Sequence, residues 1–441
     1  AAAGLAGVAS PVCLIVAGWP NVDVASAAFL LAGVWALCPG SMRRLDARLL
    51  AGSLLLGAAA ACKLPAAAPG ALAGVMMLAV VLRRPRAGRR VALLVLPGLL
   101  MLGPWLAKNV VLHGNPVYPA GYSVFGGPEW SPENDAFYKG KAAEKGIGRS
   151  PVDFALFPLD VTIRWRTDFE DPLRRQLFLE GNGYLSAWDR LSSGASPGFE
   201  DHNPGPALLA LLPLALATAW IGARRRSFTL LLVAAQVVGG ALVWFLAYQS
   251  VRFLIPVLVL DAVLAAGALA RWPTWASRAT LGALAALGLA WAGWYLGFVA
   301  PTRPLASAAG RIPGDLVLAS RFNAWPAVRD LNERVAPGEV VVYIGEHRGA
   351  HAQFPVLLSD WFDTPLVLSE IRRTADNDAL LRDWRERGVR HVLYNGAELR
   401  LYREAYYRPR FTPEEWARHE ALLDALGIED RDALEVVELA E

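Results

Sequence analysis

The amino-acid sequence predicts a mainly helical, polytopic membrane protein that carries a small α/β domain at its C-terminal end. Three observations lead there. The chain is 54% hydrophobic and 19% charged, against roughly 25% charged in soluble domains, and its mean hydropathy is +0.32. Its charges are segregated: residues 1–111 and 205–300 are mostly apolar, whereas 301–441 has the composition of a soluble domain. Finally, arginines gather in every second short loop between the apolar runs. The net charge of +3 is too small to indicate a nucleic-acid partner. Cys13, Cys38 and Cys62 all fall inside apolar segments, which favours buried thiols over disulfides or a metal site.

A helix needs about 20 apolar residues to cross the hydrocarbon core, and about nine segments are candidates: 2–19, 24–40, 49–62, 65–82, 91–111, 206–222, 227–247, 253–270 and 280–300. Several are short and rich in Ala and Gly, as close helix packing in membranes favours. Pro65, Pro69, Pro97 and Pro104 are tolerated there because neighbouring helices satisfy the freed backbone groups. Arg43, Arg44 and Arg48 follow the second span, and Arg83, Arg84, Arg86, Arg89 and Arg90 the fourth. Arg224, Arg225 and Arg226 follow the sixth, and Arg271 and Arg278 flank the loop after the eighth. Basic short loops face the cytoplasm. The resulting organisation is spans in 1–112, an extracytoplasmic loop in 113–204, spans in 205–300 and an extracytoplasmic α/β domain in 301–441, all in the inner cell membrane. The opening AAAGLAGVAS has no charged n-region, so it does not read as a signal peptide. It reads as the middle of a helix, and the expectation is a chain that continues a longer protein.

The long loop opens with HGNPVYPAGYSVFGGPEW, where Gly114, Pro116 and Pro119 stop the preceding helix. Farther on, TIRWRTDFEDPLRRQ mixes Arg164, Arg166, Asp168, Glu170, Asp171, Arg174 and Arg175 with Trp165 and Phe169. That mixture suits a segment at the membrane interface, either as a packed cap or in contact with substrate. In 301–441, NAWPAVRDLNERV reads as an amphipathic helix and EVVVYIG as a buried strand. DALLRDWRERG is a helix closed by Gly388, RHVLYN a second buried strand, 413–426 a helix and LEVVEL a last strand. Alternation of this kind predicts a largely parallel sheet. Glu346 and His347 follow a strand, where ligand crevices of such sheets lie, although an ordinary exposed turn is the better reading. His347 and His351 are four apart without an evident third ligand, which makes a weak zinc site.

Four ionisable residues, Asp23, Lys63, Lys108 and Arg252, map to one face of the membrane in this topology. Asp23, in the WPNVD turn, either caps the following helix or serves in acid–base or metal chemistry. Lys63 ends GAAAACK, far from other charges. It either snorkels to the headgroups or grips a lipid phosphate. Lys108, one turn before GNPVYP, suits interface anchoring. Arg252 opens VRFLIP, and its planar fork suits a phosphate or pyrophosphate.

These stretches together resemble a family. PWLAKNVVLHGNPVYP is similar to the PW…RN…GNP stretch of bacterial GT-C class glycosyltransferases, the membrane enzymes that use polyprenyl-phosphate sugars. Members include dolichyl-phosphate-mannose and aminoarabinose transferases. WPNVDVASAAFLLAGVWAL, LLLGAAAACKLPAAAPGAL and VRFLIPVLVLDAVLAAG resemble other segments of that class, in matching order across residues 1–271. The resemblance implies inverting transfer of a sugar to a glycan, lipid or protein acceptor on the outer face. It implies that Asp23 is the second acid, assisting a divalent metal or the acceptor, and that Lys63 and Arg252 hold the donor phosphate. Lys108 stands where the class often has Arg, and Asn115 and Tyr118 of the GNPVYP stretch join it as substrate-binding candidates. The class places its principal acid in a loop that would precede Ala1, so the chain as given is expected to be inactive alone. Two other readings compete: a transporter or flippase for a lipid-linked glycan, which should show charges at mid-depth, and a non-enzymatic membrane scaffold.

Overall fold

The structure is a computed structural model, and it describes residues 13, 22–38, 44–128, 130–144, 148–162, 207–247, 249–269, 272–294, 308–359, 363–403 and 407–439. The predicted span 2–19, apart from Cys13, and the TIRWRTDFEDPLRRQ segment from Ile163 onward lie outside the described residues. Two compact units emerge, Ala1–Glu170 with Ser186–Ala300 and Asp171–Leu185 with Pro301–Glu441.

The first unit is helical. Its described helices are α1 (Asp23–Leu37), α2 (Leu45–Cys62), α3 (Ala67–Val81, entered by a 3-10 turn at Leu64–Ala66), α4 (Ala87–His113), α5 (Tyr122–Phe125), α6 (Pro132–Glu144) and α7 (Pro151–Thr162). They continue with α8 (Ala207–Arg224), α9 (Phe228–Leu246), α10 (Ile255–Leu269, entered by a 3-10 turn at Val251–Leu254) and α11 (Thr274–Trp294).

Small residues let these helices approach. A Cβ added to Gly33 would lie 2.7 Å from Leu56, and one on Gly57 would strike the Gly98 backbone of α4. Where α1 crosses α2, the Ser26 hydroxyl donates to the Ala59 carbonyl at 2.9 Å. Where α2 crosses α4, the Gly98 N–H donates to the Ser53 hydroxyl at 2.8 Å. The outer faces are apolar: Trp35, Val75, Leu100, Val111, Trp220 and Leu246 are all exposed. A monomer in water does not display such surface.

Among the described residues, five segments are long and apolar enough to cross a membrane: Leu45–Cys62, Leu64–Val81, Ala87–His113, Phe228–Leu246 and Val251–Leu269. They point to a membrane protein, and the described residues supply five such segments against the nine spans expected. The predicted span 24–40 is the 15-residue helix α1, about 22 Å long at the usual rise, and 206–222 corresponds to another of the shorter apolar helices. The predicted span 280–300 overlaps α11, which begins earlier, at Thr274, and takes in the polar turn through Arg278. Arg278 is therefore helical and does not lie in a loop.

One ion-pair cluster orients the bundle. Asp46, in the first turn of α2, meets Arg90 Nε at 2.9 Å and Arg89 at 3.2 Å in the first turn of α4. The arginine-rich loops before α2 and before α4 thus share one end of the bundle. Asp23, Lys63 and Arg252 belong to the opposite helix ends. Helix α4 stops as its sequence predicts, with Gly114 in the left-handed region at φ 67°, where glycine avoids the Cβ penalty.

The second unit contains α12 (Gly314–Arg321), α13 (Trp325–Arg334), β1 (Val340–Ile344), β2 (Val356–Leu357), α14 (Leu366–Arg373) and α15 (Asn377–Glu386). These are followed by β3 (Val389–Asn395), α16 (Gly396–Tyr402), α17 (Pro413–Ala425) and β4 (Leu434–Glu438). The sheet order is β2-β1-β3-β4. The first three strands are parallel, with Val342 opposite Val392, and β4 closes the edge antiparallel. The predicted elements are all present. Gly388 ends α15 at φ 80°, and Thr412 and Glu415 form a reciprocal capping box at the start of α17. One core packs Leu380, Trp384 and Leu422 against Val342, Ile344 and Val392, and another packs Phe322, Val328 and Leu331 against Val341, Tyr343 and Leu393.

Candidate functional site

Three of the residues singled out in the sequence meet at one cleft. It spans about 760 Å³, part of it open to the outside, and is lined by Asp23, Ser26 and Leu30 of α1, Lys63 after α2, Gln236 and Gly240 of α9, and Arg252, Phe253, Val257 and Leu260 of the last described apolar span. Gln236, Gly240, Val243 and Ala247 lie along a single face of α9. The cleft therefore runs about 16 Å along that helix, from the bundle end inward. Its mouth carries the ionisable groups and its depth is apolar.

Local structure positions each group. Asp23 is the first residue of α1, preceded by Val22 at the cap position, and its side chain makes no capping bond. The capping role open to it in the sequence is not the one it takes. Instead Lys63 Nζ donates to Asp23 Oδ1, and the pair is screened from solvent, with side-chain exposures of 24% and 4%. Asp23 Oδ2 is buried with no hydrogen-bond partner. Lys63 is placed by the end of α2, where the backbone turns extended before Pro65. Its ammonium lies 4.0 Å from the centre of the Phe253 ring, and the Arg252 guanidinium sits over the same ring at 5.4 Å. One aromatic ring thus steadies both cations. Gln236, deeper in the wall, faces α3, and with its amide turned so that both ends are satisfied it donates to Pro69 O at 3.0 Å and accepts from the Ala73 N–H at 3.3 Å. At the rim, Arg149 donates to the Phe245 carbonyl at the C-terminal end of α9, where a cation complements the helix dipole. Gln249 bridges the Gly148 and Phe245 carbonyls at 2.7 and 3.0 Å.

The other sequence candidates stand outside the cleft lining. Lys108 is exposed and lies over the Trp105 ring at 4.8 Å, an arrangement that suits an anchor. Asn115 is completely buried. Its amide donates to Ala120 O at 2.9 Å and Gly126 O at 3.1 Å and its oxygen accepts from the Val117 N–H, so its capacity goes to stapling the GNPVYP loop. Tyr118 stacks on His113 with centroids 4.1 Å apart and meets Trp130 edge-on. A divalent metal does not fit the described cleft. Asp23 supplies the single carboxylate among its described lining residues and is already paired with an ammonium, whereas hard divalent cations need several oxygen ligands. No group of three or more metal-ligating side chains occurs among the described residues.

Sequence reasoning passed over Asp261. It lies mid-helix in α10, 1% exposed, and both carboxyl oxygens are without hydrogen-bond partners. It directly follows Leu260, a lining residue of the cleft. The signal was present in the sequence: an acid in the middle of an otherwise uncharged apolar run, which membrane segments retain chiefly for function. Phe253 was legible only as the neighbour of Arg252.

The second unit holds its own buried acid at the C-terminal ends of β1 and β3, where ligand crevices of parallel sheets lie. Glu346 is 3% exposed, not part of an exposed turn. Oε1 accepts from the His347 and Arg348 backbone N–H groups and from Arg348 Nε; Oε2 accepts from Arg348 Nη2 and Asn395 Nδ2, all at 2.7–2.9 Å. Burial pushes the carboxyl up, but the hydrogen bonds and charge of Arg348 outweigh it and hold Glu346 below the usual carboxylate range. Asn323 exchanges amide hydrogen bonds with Asn395 at 3.0 Å and closes the network.

A family model described as a domain of unknown function (DUF8201) matches residues 8–168, a stretch that includes Asp23, Lys63, Lys108, Asn115 and Tyr118. No curated protein and no solved structure matches the chain.

Proposed function

We propose that this chain belongs to a membrane glycosyltransferase that moves a sugar from a polyprenyl-phosphate donor to an acceptor hydroxyl, with inversion at the anomeric carbon, at the extracytoplasmic face of the inner membrane. The observation that carries this reading is the meeting of Asp23, Lys63 and Arg252 at the mouth of an apolar cleft. The chemistry needs that combination. The acceptor oxygen bonds to the anomeric carbon as the bond from that carbon to the phosphate oxygen breaks, and the acceptor proton passes to a carboxylate base. Negative charge grows on the departing lipid phosphate, and cations fixed beside it lower the barrier. In this reading Lys63 and Arg252 face the phosphate, the apolar wall from Gly240 to Leu260 takes the start of the prenyl tail, and Asp23 orients the acceptor hydroxyl.

The test is transfer of labelled sugar from a panel of polyprenyl-phosphate sugars by the natural full-length protein in nanodiscs. Transfer that is lost in the Asp23→Ala/Lys63→Ala pair supports the assignment, and full activity in that pair sinks it. One observation favours a second reading, movement of a lipid-linked glycan: Asp261 places a carboxyl inside the apolar packing, as transport pathways do. Loss of glycan translocation in Asp261→Asn, with transfer chemistry absent from the wild type, would select that reading.

A further inference from the structure

We propose that the Asp23–Lys63 ion pair is a latch that an incoming phosphate opens, exchanging the Asp23 carboxylate for the phosphate on Lys63; this rests on the phosphate-binding reading of the cleft. Two observations on the same pair carry it. First, Lys63, the lysine of the cleft wall, is occupied: its ammonium donates to Asp23 Oδ1. A phosphate that enters must compete with that carboxylate for the same donors. Second, Asp23 is only half satisfied. Oδ2 is buried and without a hydrogen-bond partner although it belongs to a cleft-lining residue, and a buried acceptor left unmade costs roughly 1–3 kcal/mol. The resting pair is therefore held by one charge contact and is not locked by a network.

The surrounding groups favour the exchange. Arg252 brings a second cation to the Phe253 ring that already carries Lys63, so two like charges lie close to one ring, and the Asp23 carboxylate pairs with the lysine. A phosphate, with more acceptor oxygens than a carboxylate, can bridge both cations, whereas Asp23 pairs with Lys63. Once displaced, Asp23 has both oxygens available for a ligand hydroxyl. Substrate binding thus arms the carboxylate, and in the empty cleft the acid is masked.

The latch makes a prediction opposite to that for an ordinary contact residue: removing the charge of Asp23 strengthens binding. Titration calorimetry on the full chain in detergent micelles, with geranyl phosphate as probe, reads it. Asp23→Asn should bind about tenfold more tightly than wild type, a change of about 1.4 kcal/mol. Lys63→Gln should bind more weakly than wild type, and adding Asp23→Asn to Lys63→Gln should bring no gain. Asp23→Ser, which also lacks the charge, should share the gain of Asp23→Asn and guards against a folding defect in either variant. Inorganic phosphate distinguishes the ligand's source: an equal gain with the free anion points to a soluble phosphate, and a gain confined to geranyl phosphate points to a lipid headgroup. Wild-type binding with unchanged or weaker binding in both Asp23 variants overturns the latch and leaves the phosphate reading intact. No binding in wild type or any variant overturns the phosphate reading beneath it.

Discussion

Two buried carboxylates, one in each unit, look alike in the sequence and differ in what their oxygens do. Glu346 and Asp23 are each paired with a cation and nearly inaccessible. The two oxygens of Glu346 accept from two backbone N–H groups, Asn395 and the Arg348 guanidinium. Those donors take up the lone pairs of Glu346, although the residue itself lines a pocket at the strand ends with Gly345, His347 and Tyr407. Asp23 has one partnered oxygen and one orphan, and it faces a cleft. Burial and pairing therefore do not mark a site. Unspent hydrogen-bonding capacity beside open space does.

The sharpest way to break this contrast is to remove each acid's partner. Arg348→Met leaves Glu346 buried without its guanidinium, and breaking a buried pair costs roughly 3–5 kcal/mol. The C-terminal unit should lose that stability in a denaturant titration followed by tryptophan fluorescence, while the proposed sugar transfer, per folded molecule, stays unchanged. Lys63→Gln should do the reverse. Under the proposed sugar transfer, losing one charge stabiliser of the transition state costs roughly a hundredfold in kcat, and the thermal midpoint should move far less than in Arg348→Met. If Arg348→Met abolished transfer without unfolding, or Lys63→Gln unfolded the chain without slowing transfer, the roles assigned here would be exchanged.

A third carboxylate sharpens the contrast from the other side. Asp261 is buried and neither carboxyl oxygen has a protein hydrogen-bond partner, so for stability alone it is a cost. Replacing a buried polar group by a well-packed apolar one is often stabilising. Asp261→Leu should stabilise the chain by the roughly 1–3 kcal/mol that an unmade buried group costs, seen as a higher thermal midpoint. A midpoint that falls would mean the acid is bonded in the membrane and is part of the packing.

Most of the architecture was legible because its signals are local. Apolar length marked the five spans, Gly114 and Gly388 marked helix ends, and the runs VVVYI and VRHVLYN became β1 and β3. The site was half legible. Lone charges in apolar surroundings, Lys63 and Asp23, identify themselves, and helix direction alone brings them to one end. What the sequence does not contain is which of the charges at that end share a cavity. Lys108 and Lys63 look equivalent as cations at span ends, yet α2 is enclosed by α1 and α4, whereas α4 turns most of its surface outward and buries just Leu94 and Asn109. Asn115 misled for a related reason: an Asn-Pro turn that binds ligand and one that staples its own loop have the same sequence.

The smallest effect concerns a group that sits in neither acid network, His419 of α17. It is 1% exposed and caged by Tyr407, Phe411 and Trp416, with the Trp416 ring stacked 4.9 Å away. The Tyr407 hydroxyl lies 3.3 Å from Nε2 and Glu420 lies 3.8 Å from Nδ1. Burial pushes the imidazole below its ordinary value; Glu420 opposes that shift, and Arg431 and Arg403 add to it. Because the folded state then binds the proton less readily than the unfolded chain, stability is complete above the unfolded value of about 6.5 and declines as pH falls below it. The decline is at most about 1.4 kcal/mol per pH unit. Thermal midpoints of the C-terminal unit, read in the full chain by near-ultraviolet circular dichroism between about pH 5 and 7, should drop toward acid. His419→Phe, which keeps an aromatic ring in the cage, should flatten that slope. An acid slope that survives in His419→Phe would assign the titration to another group.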